Sequence, residues 1–238
     1  MVRYFVSVLV VAAALRAAAA EQRFEHTNEQ FAITLSSDWK EVDPKAAPYA
    51  KDVLTTEDDV VTRAYQFAVD TNFAAAIFVE IDQAYRIPER DVAMLQFDKP
   101  RQTFLTHALE PEGLRMLDSS FSTNRMAVRI SATADYSKAG KTRQLIGWFL
   151  TDKGSYSVTC VAPAEHYKTV SEAFAKALDT FYVDPSLAYR PRTKAAQQLA
   201  SDSKTTTVKF RFGWVFGLAA LAFWFVRRRA SRVYSDEV

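Results

Sequence analysis

Alternation of apolar and polar side chains marks the first predicted strand of the chain. Phe31, Ile33 and Leu35 follow one another at every second position. Because side chains along a strand point alternately to its two faces, this spacing predicts a strand with one buried face within residues 25–42. The next stretch, residues 40–59, is polar and contains Pro44 and Pro48, which predicts a loop.

Short polar turns separate the remaining strand-like runs. Residues 62–70 and 75–82 are predicted strands, and Thr71-Asn72 between them is typical of a hairpin. Connections this short favour antiparallel neighbours in a sheet. Four further runs are predicted to be strands: residues 114–121, 126–136, 143–150 and 156–161.

Two segments carry helical spacing. Residues 88–110 form the first, in which Pro100 is expected to break or restart the helix because proline lacks the amide hydrogen that a helix interior needs. Pro163 is predicted to open the second, which ends at Asp184-Pro185. The second segment has an apolar stripe that should lie across the sheet, made of Tyr167, Val170, Phe174, Leu178 and Phe181.

These strands and two helical segments predict an α+β fold in which an antiparallel sheet is flanked by helices. The order of elements resembles the PsbP and DcrB superfamily over residues 24–183. The resemblance rests on the alternating first strand followed by Trp39, on the late strand 156–161 and on a closing helix with Leu178-Asp179-Thr180-Phe181. It implies an α/β/α sandwich and a non-enzymatic module that binds or stabilises another protein. It carries over no functional residues.

Residues 1–20 have the order of a secretory signal peptide. Arg3 is followed by an uncharged, mainly apolar run, and four alanines precede Glu21. Small residues after a short apolar core are typical of a cleaved secretion signal, so cleavage is predicted before Glu21. The alternative is a mitochondrial presequence, because Arg3, Arg16 and Arg23 occur with no acid before Glu21. The uncharged run after Arg3 favours secretion over an Arg-striped presequence helix.

A second apolar segment lies near the C-terminus, at residues 212–226, and three arginines follow it directly. Its fifteen residues would rise about 22 Å as a helix, and snorkelling of Lys209 and Arg211 extends the span toward the thickness of a thin bilayer. Positive residues stay on the cytoplasmic side, so the segment predicts a single-pass type I anchor. A buried soluble helix is the alternative.

Together these features divide the chain into a signal peptide at 1–20, a luminal or extracellular globular domain at 21–185, a stalk at 186–211, a transmembrane helix at 212–226 and a short basic cytoplasmic tail at 227–238. The predicted location is a membrane of the secretory pathway, either an endomembrane such as the endoplasmic reticulum or the cell surface. A mitochondrial membrane is the alternative. Gly213 and Gly217 share one helix face and permit a weak homodimer, although glycine is common in membrane helices in any case.

The net charge of +2 comes from the two ends of the chain. Residues 1–20 hold two arginines, and residues 227–238 hold four arginines and two acids, which leaves 24 basic and 26 acidic residues in 21–226. A domain that binds nucleic acid usually carries a positive surface of its own. The body of the chain has no such excess, so no nucleic-acid partner is expected.

Residue types that could carry chemistry occur without a recognised motif. Cys160 is the single cysteine and lies in an apolar run, which favours a buried structural thiol over a nucleophile paired with a histidine. His107 stands near Glu110 and Glu112, and Glu57-Asp58-Asp59 lacks the spacing of a calcium loop. A solvated helix end and a charged turn are the favoured interpretations.

No catalytic, cofactor-binding or metal-binding residue is therefore assigned, and no cofactor is expected. Two classes of function remain. The favoured class is a non-enzymatic, membrane-anchored binding or assembly module that meets a protein partner on the luminal or exoplasmic side. The alternative is an enzyme with an unrecognised acid/base site in the same domain.

Overall fold

The computed structural model describes residues 20–54, 61–67, 74–83, 86–110, 113–136 and 140–192. Within these ranges the chain forms ten strands: β1 (Glu21–His26), β2 (Phe31–Ser36), β3 (Trp39–Val42), β4 (Val61–Phe67), β5 (Ala76–Asp82), β6 (Leu114–Ser122), β7 (Ala127–Tyr136), β8 (Gly140–Leu150), β9 (Ser155–Pro163) and β10 (Tyr182–Val183). The same ranges contain the α-helices α1 (Ala50–Val53), α2 (Glu89–Leu95), α3 (Asp98–Leu109) and α4 (Tyr167–Thr180). The predicted α+β class with antiparallel strands is confirmed.

The strands are arranged in two antiparallel sheets. The larger sheet has seven strands in the order β3-β4-β5-β9-β8-β7-β6, and the smaller sheet has the order β1-β2-β10. At the centre of the larger sheet Cys160 of β9 lies opposite Ile77 of β5 and Leu145 of β8. Strand β9 lies between its chain neighbour β8 and the distant strand β5. The centre of this sheet therefore combines strands from the early and the late part of the chain.

Helix α4 and the smaller sheet cover one face of the larger sheet. Phe174 and Leu178 of α4 are 0% and 1% exposed and pack in one cluster with Ile33 of β2 and Val158 of β9. Burial of such a side chain contributes roughly 2 kcal/mol. The predicted apolar stripe is confirmed at these positions, and Phe181 is buried too, although it lies one residue beyond the helix.

The opposite face of the larger sheet is covered by the other helices. Leu95 of α2 and Phe104 of α3 pack against Val128 and Ile146. The short helix α1 packs against Ala64, Ala76 and Phe78 on the neighbouring strands. Successive residues of a strand in the larger sheet thus point alternately toward α4 and toward the helices on the opposite face, because side chains along a strand alternate between its two faces.

The segment between the first strand and β4 differs from the prediction. Residues 40–59 were expected to form a loop, but Trp39–Val42 forms β3, Pro44–Ala46 a turn of 3-10 helix and Ala50–Val53 the helix α1. The strand was concealed because only Trp39 is fully buried in it. Strand β1 is a second addition, and its mostly exposed residues carry little apolar signal.

The break and restart predicted around Pro100 is confirmed, whereas the prediction that Pro163 opens a helix is wrong. The first helical segment breaks at Gln96 and Phe97, and Pro100 lies in the first turn of α3, where the missing amide hydrogen removes no helical hydrogen bond. Pro163 ends β9, and α4 begins four residues later at Tyr167.

The predicted ends of the chain lie mostly beyond the described residues. The signal peptide, the apolar segment 212–226 and Gly213 and Gly217 all fall outside them. In the part that is described, no helix has the length and apolar character needed to cross a membrane. The first residues of the predicted stalk belong structurally to the domain, because residues 185–189 form a 3-10 turn and a β-bridge against it.

Candidate functional site

Cys160 is buried in the apolar core, as the sequence predicts. Burial raises the pKa of its thiol, which favours the protonated form and makes the sulfur a poor nucleophile. Its strand neighbours Ile77 and Leu145 are both buried. The geometry therefore assigns Cys160 to packing.

Of the residues considered as metal ligands, the structure describes His107 and Glu110. His107 and Glu110 are both exposed at the end of α3, while Glu112 and the run 57–59 lie outside the described residues. Among the residues that the structure does describe, no group of three or more His, Cys, Asp or Glu side chains could hold a metal ion.

A cluster of titratable side chains lies where the smaller sheet meets the larger one. We call it the junction cluster, and it consists of His26, Glu29, Glu41, Arg63 and Tyr65. The first two residues belong to β1 and the turn after it, and the others belong to β3 and β4. The cluster therefore connects the two sheets by polar contacts at the edge of the apolar core.

His26 is the centre of the junction cluster. Its Nε2 lies 2.7 Å from the Tyr65 hydroxyl and 3.9 Å from a carboxylate oxygen of Glu41. The imidazole also stacks on Phe31, with ring centroids 4.6 Å apart and an interplanar angle of 19°. These contacts fix the ring in place and leave the His26 side chain 10% exposed.

Burial governs the ionisation of His26 and Tyr65. It lowers the pKa of His26 below 6.5, because a charged imidazole loses hydration there. The nearby Glu41 opposes this shift and Arg63 adds to it. Burial also raises the pKa of Tyr65. At neutral pH both groups are therefore uncharged, and the Tyr65 hydroxyl can donate to Nε2 when the imidazole proton is on Nδ1.

Glu29 and Arg63 form the charged half of the junction cluster. The guanidinium of Arg63 donates to the Glu29 carboxylate. Burial alone would raise the pKa of Glu29, but the hydrogen bond and charge of Arg63 outweigh it, and the net pKa is lowered. The backbone of the same turn is also held, since the Tyr156 hydroxyl donates to the Glu29 carbonyl at 2.7 Å.

A second polar cluster holds the last described residues on the domain. We call it the C-terminal clamp, and it consists of Arg86, Glu89, Asp152, Tyr189 and the backbone of residues 187–192. Arg86 Nε lies 3.2 Å from Asp152 Oδ1, and its guanidinium lies 4.2 Å from the centre of the Tyr189 ring. The Tyr189 hydroxyl donates to the Ile87 carbonyl at 2.9 Å.

Backbone groups complete the C-terminal clamp. The Arg190 amide donates to Asp152 Oδ1 at 2.9 Å, and the Asp152 amide donates to the Leu187 carbonyl at 2.9 Å. The Arg192 amide donates to the Glu89 carboxylate. Although burial would raise the pKa of Asp152, the Arg190 amide and Arg86 lower it on balance, so the clamp keeps its charges over the neutral range.

Asp91 is a further buried acid that lies outside both clusters. Its side chain is 1% exposed and neither oxygen has a hydrogen-bond partner. Arg90 Nε lies 3.5 Å away, without hydrogen-bond geometry. Asp91 is the third residue of α2, where an acid commonly accepts from the N-cap amide, but the N-cap is Pro88. Burial raises the pKa of Asp91.

The chain is similar to solved structures at the level of fold. Cyanobacterial PsbP (CyanoP) from Synechocystis sp. PCC 6803 is 12% identical, with 69% of this chain and 93% of that chain covered and a TM-score of 0.43. PA94 from Pseudomonas aeruginosa, a protein of unknown function and putative regulator, is 12% identical, with 57% and 88% covered and a TM-score of 0.39.

LpqN, involved in cell envelope biogenesis of Mycobacterium tuberculosis, is 11% identical, with 70% of this chain and 91% of that chain covered and a TM-score of 0.38. The order of elements resembles the PsbP superfamily, and a PsbP structure is among those to which this chain is similar. No protein-family model matches the chain, and no curated protein matches it. At these identities the likeness concerns the fold and carries over no residue roles.

Both clusters went unrecognised in the sequence because their members are far apart along it. His26 and Tyr65 are separated by 39 residues, and Arg86 and Asp152 by 66. The clamp left one local signal, since Leu187 and Tyr189 are apolar side chains after Pro185 and both are buried. The junction cluster left none, because His26 ends a strand in which Phe24 is the single apolar residue.

Proposed function

We propose that this chain is a non-enzymatic binding or assembly module, held by a membrane anchor on the luminal or exoplasmic side with a protein partner there. The observation that carries the proposal is the C-terminal clamp. It fixes residues 187–192 on the domain immediately before the segment that leads to the apolar run 212–226. The clamp thereby fixes the place on the domain surface from which the chain continues toward its proposed anchor.

The composition of the clamp supports this role. Arg86 contributes an ion pair, an aromatic contact and a hydrogen bond to the Arg190 carbonyl at 3.0 Å. Contacts of a guanidinium with a carboxylate and an aromatic face are among the stronger polar interactions of a protein surface. The path of the chain is therefore set by several independent contacts up to Arg192.

The ends of the chain support the proposed topology. A secretion-type sequence at residues 1–20 and an apolar run followed by arginines at 212–229 are the features that deliver a domain across a membrane and retain it there. The same arrangement leaves only residues 227–238 on the cytoplasmic side. A mitochondrial membrane is the alternative location.

The junction cluster is the observation that favours the enzyme alternative. A histidine bonded to a tyrosine beside two acids has the residue types of an acid/base site. However, Tyr65 is 0% exposed, His26 Nε2 is already bonded to it, and Glu29 is paired with Arg63. The polar groups of this cluster are therefore used to join the sheets, which supports the binding role.

Proximity labelling from the luminal side identifies the partner, and three chains then test the proposal. The first is the full chain, the second ends at residue 211, and the third carries an unrelated apolar helix of equal length in place of residues 212–226. We expect all three to bind the purified partner, whereas only the first and third support it in cells.

Two results would contradict the proposal. Full support by the chain that ends at residue 211 would show that the anchor is dispensable. Turnover of a substrate that disappears in His26→Gln, with an unchanged free energy of unfolding, would establish the enzyme alternative. If the third chain fails while the first succeeds, and Gly213→Leu fails likewise, the apolar segment contributes a contact of its own, such as the weak homodimer.

A further inference from the structure

Three polar contacts hold the β1–β2 turn on the larger sheet. His26 contacts Tyr65, Glu29 contacts Arg63, and the Tyr156 hydroxyl bonds to the Glu29 carbonyl. Of these groups only His26 has an ordinary pKa close to neutrality. Near neutral pH, protonation can therefore alter the contact of His26 with Tyr65. The contacts of Glu29 with Arg63 and with Tyr156 persist over that range.

The surroundings of His26 determine what a proton does there. Glu41 from β3 and Glu29 from the turn attract an imidazolium, whereas Arg63 from β4 repels it and the Tyr65 phenol is uncharged. From β9 the Tyr156 hydroxyl is already bonded to the Glu29 carbonyl. Loss of hydration outweighs the attraction of the two acids, so the folded contact favours neutral His26.

Protonation also changes the hydrogen bond to Tyr65. A charged imidazole has donors at both nitrogens and no acceptor. In the tautomer with its proton on Nδ1, Nε2 accepts from the Tyr65 hydroxyl, and protonation removes that acceptor at a residue that is 0% exposed. A buried hydroxyl without an acceptor is costly, so opening of the turn, which hydrates both groups, becomes more favourable.

We propose that His26 is a pH-dependent contact whose protonation loosens β1 and the β1–β2 turn, weakening both their hold on Tyr65 of the seven-stranded sheet and the pairing of β1 with β2. The rest of the domain keeps its structure, because α4 on one face of the larger sheet and α2 and α3 on the other face pack through apolar side chains. Loosening exposes the ring of Phe31, which lies under the imidazole. This inference concerns the domain itself and does not depend on membrane anchoring or on a partner.

Amide hydrogen exchange of the purified full chain tests the proposal. Rates in residues 22–31, corrected for the intrinsic effect of pH, are compared at pH 7.5 and pH 5.5, and β7 serves as the internal reference. One linked proton changes the opening equilibrium by up to about tenfold per pH unit. We expect residues 22–31 to lose protection by about three- to tenfold at pH 5.5, while β7 is unchanged.

Two variants isolate the histidine. His26→Gln cannot be protonated and should show equal protection at both pH values. His107→Gln, which replaces an exposed histidine on α3, should behave like the original chain. If His26→Gln retains the pH-dependent loss, or if the original chain shows none, the proposal is overturned.

A titration of the unmodified chain covers the case in which His26→Gln does not fold. The His26 ring resonances, followed by NMR, should titrate below the ordinary value of 6.5, and the amide shifts of the β1–β2 turn should follow the same midpoint. A midpoint at or above 6.5, or turn amides that do not respond, would overturn the proposal.

Discussion

The junction cluster and the C-terminal clamp perform the same structural task with different chemistry. Each holds a peripheral segment on the larger sheet, the first at the β1–β2 turn and the second at residues 187–192. The clamp depends on the ion pair of Arg86 with Asp152, whose pKa is lowered, whereas the junction includes His26, which gains a proton only below its ordinary pKa of 6.5. The difference predicts one attachment that is conditional on pH and one that is permanent.

The largest expected effect comes from the apolar core that supports both regions. Phe174→Ala removes a ring that is 0% exposed and contacts the rings of Trp39 and Tyr167. We expect the free energy of unfolding to fall by roughly 3–5 kcal/mol, measured by denaturant unfolding. Glu172→Ala, an exposed change on the same helix, should cost under about 0.5 kcal/mol. Equal losses would show that α4 does not carry the core.

The next effect separates the clamp from the junction. Arg86→Ala removes the ion pair with Asp152 and the contact with the Tyr189 ring, and should cost about 1–3 kcal/mol. Relative to the original chain, the variant should be cleaved faster by protease after residue 187, and by the same factor at pH 5.5 and at pH 7.5. Arg192 donates its backbone amide to Glu89, and its charge also acts on Asp152 and Tyr189, so Arg192→Ala is a control that removes a nearby charge and leaves the Arg86 contacts in place. Cleavage that accelerates only at acid pH would contradict the comparison.

A smaller effect tests the hydrogen bond within the junction. Tyr65→Phe removes the hydroxyl bonded to His26 and should cost about 1–2 kcal/mol at pH 7.5. In a double-mutant cycle, Tyr65→Phe and His26→Gln should be coupled by at least about 0.5 kcal/mol. The control pair is Tyr156→Phe with His26→Gln, since Tyr156 bonds to the Glu29 carbonyl instead. Equal coupling in the two pairs would mean that the contact is not specific.

The pH dependence of stability follows from the sign of the His26 shift. The folded pKa is lowered from 6.5, so below that value the unfolded chain binds more protons and stability falls with decreasing pH. His26→Gln should remove this loss between pH 6.5 and the lower folded pKa. The loss from Glu29 begins only below its ordinary pKa of 4.5, whereas the loss from His26 already begins below 6.5. An unchanged profile in the variant would contradict the assignment.

The smallest expected effect concerns Asp91, the buried acid whose oxygens have no hydrogen-bond partner. The folded pKa of Asp91 is raised from 3.8, so its charge opposes folding at neutral pH and this penalty disappears in acid. Asp91→Asn should therefore increase the free energy of unfolding at pH 7 by under about 1 kcal/mol and have little effect below pH 4. A loss of stability at pH 7 would indicate a partner for the carboxylate that the variant removes.

The sequence predicted the parts of the fold that local periodicity encodes. The alternation at Phe31, Ile33 and Leu35 and the stripe at Phe174 and Leu178 identified buried faces because each pattern has the period of its element. By contrast, β1 and β3 are edge strands held by pairing with β2 and β4, and they contain few buried residues. Their stability comes from tertiary contacts, which the local pattern does not contain.

The candidate site was less predictable than the fold for the same reason. His26 and Arg86 act through residues that the topology brings to them from distant parts of the chain. The residue types that stand out in the sequence, Cys160 and His107, proved to be a buried thiol and an exposed helical side chain. Proximity in three dimensions, rather than residue type, distinguishes the polar groups that hold this domain together.

Protease protection in sealed membrane vesicles tests the central claim most directly. The chain is expressed with an epitope tag after Val238, and protease is added from the cytoplasmic side. We predict that the tag is removed while a fragment containing residues 21–211 stays intact until detergent opens the vesicles. Digestion of the domain with retention of the tag, or release of the intact chain by alkaline carbonate, would contradict a luminal domain held by residues 212–226.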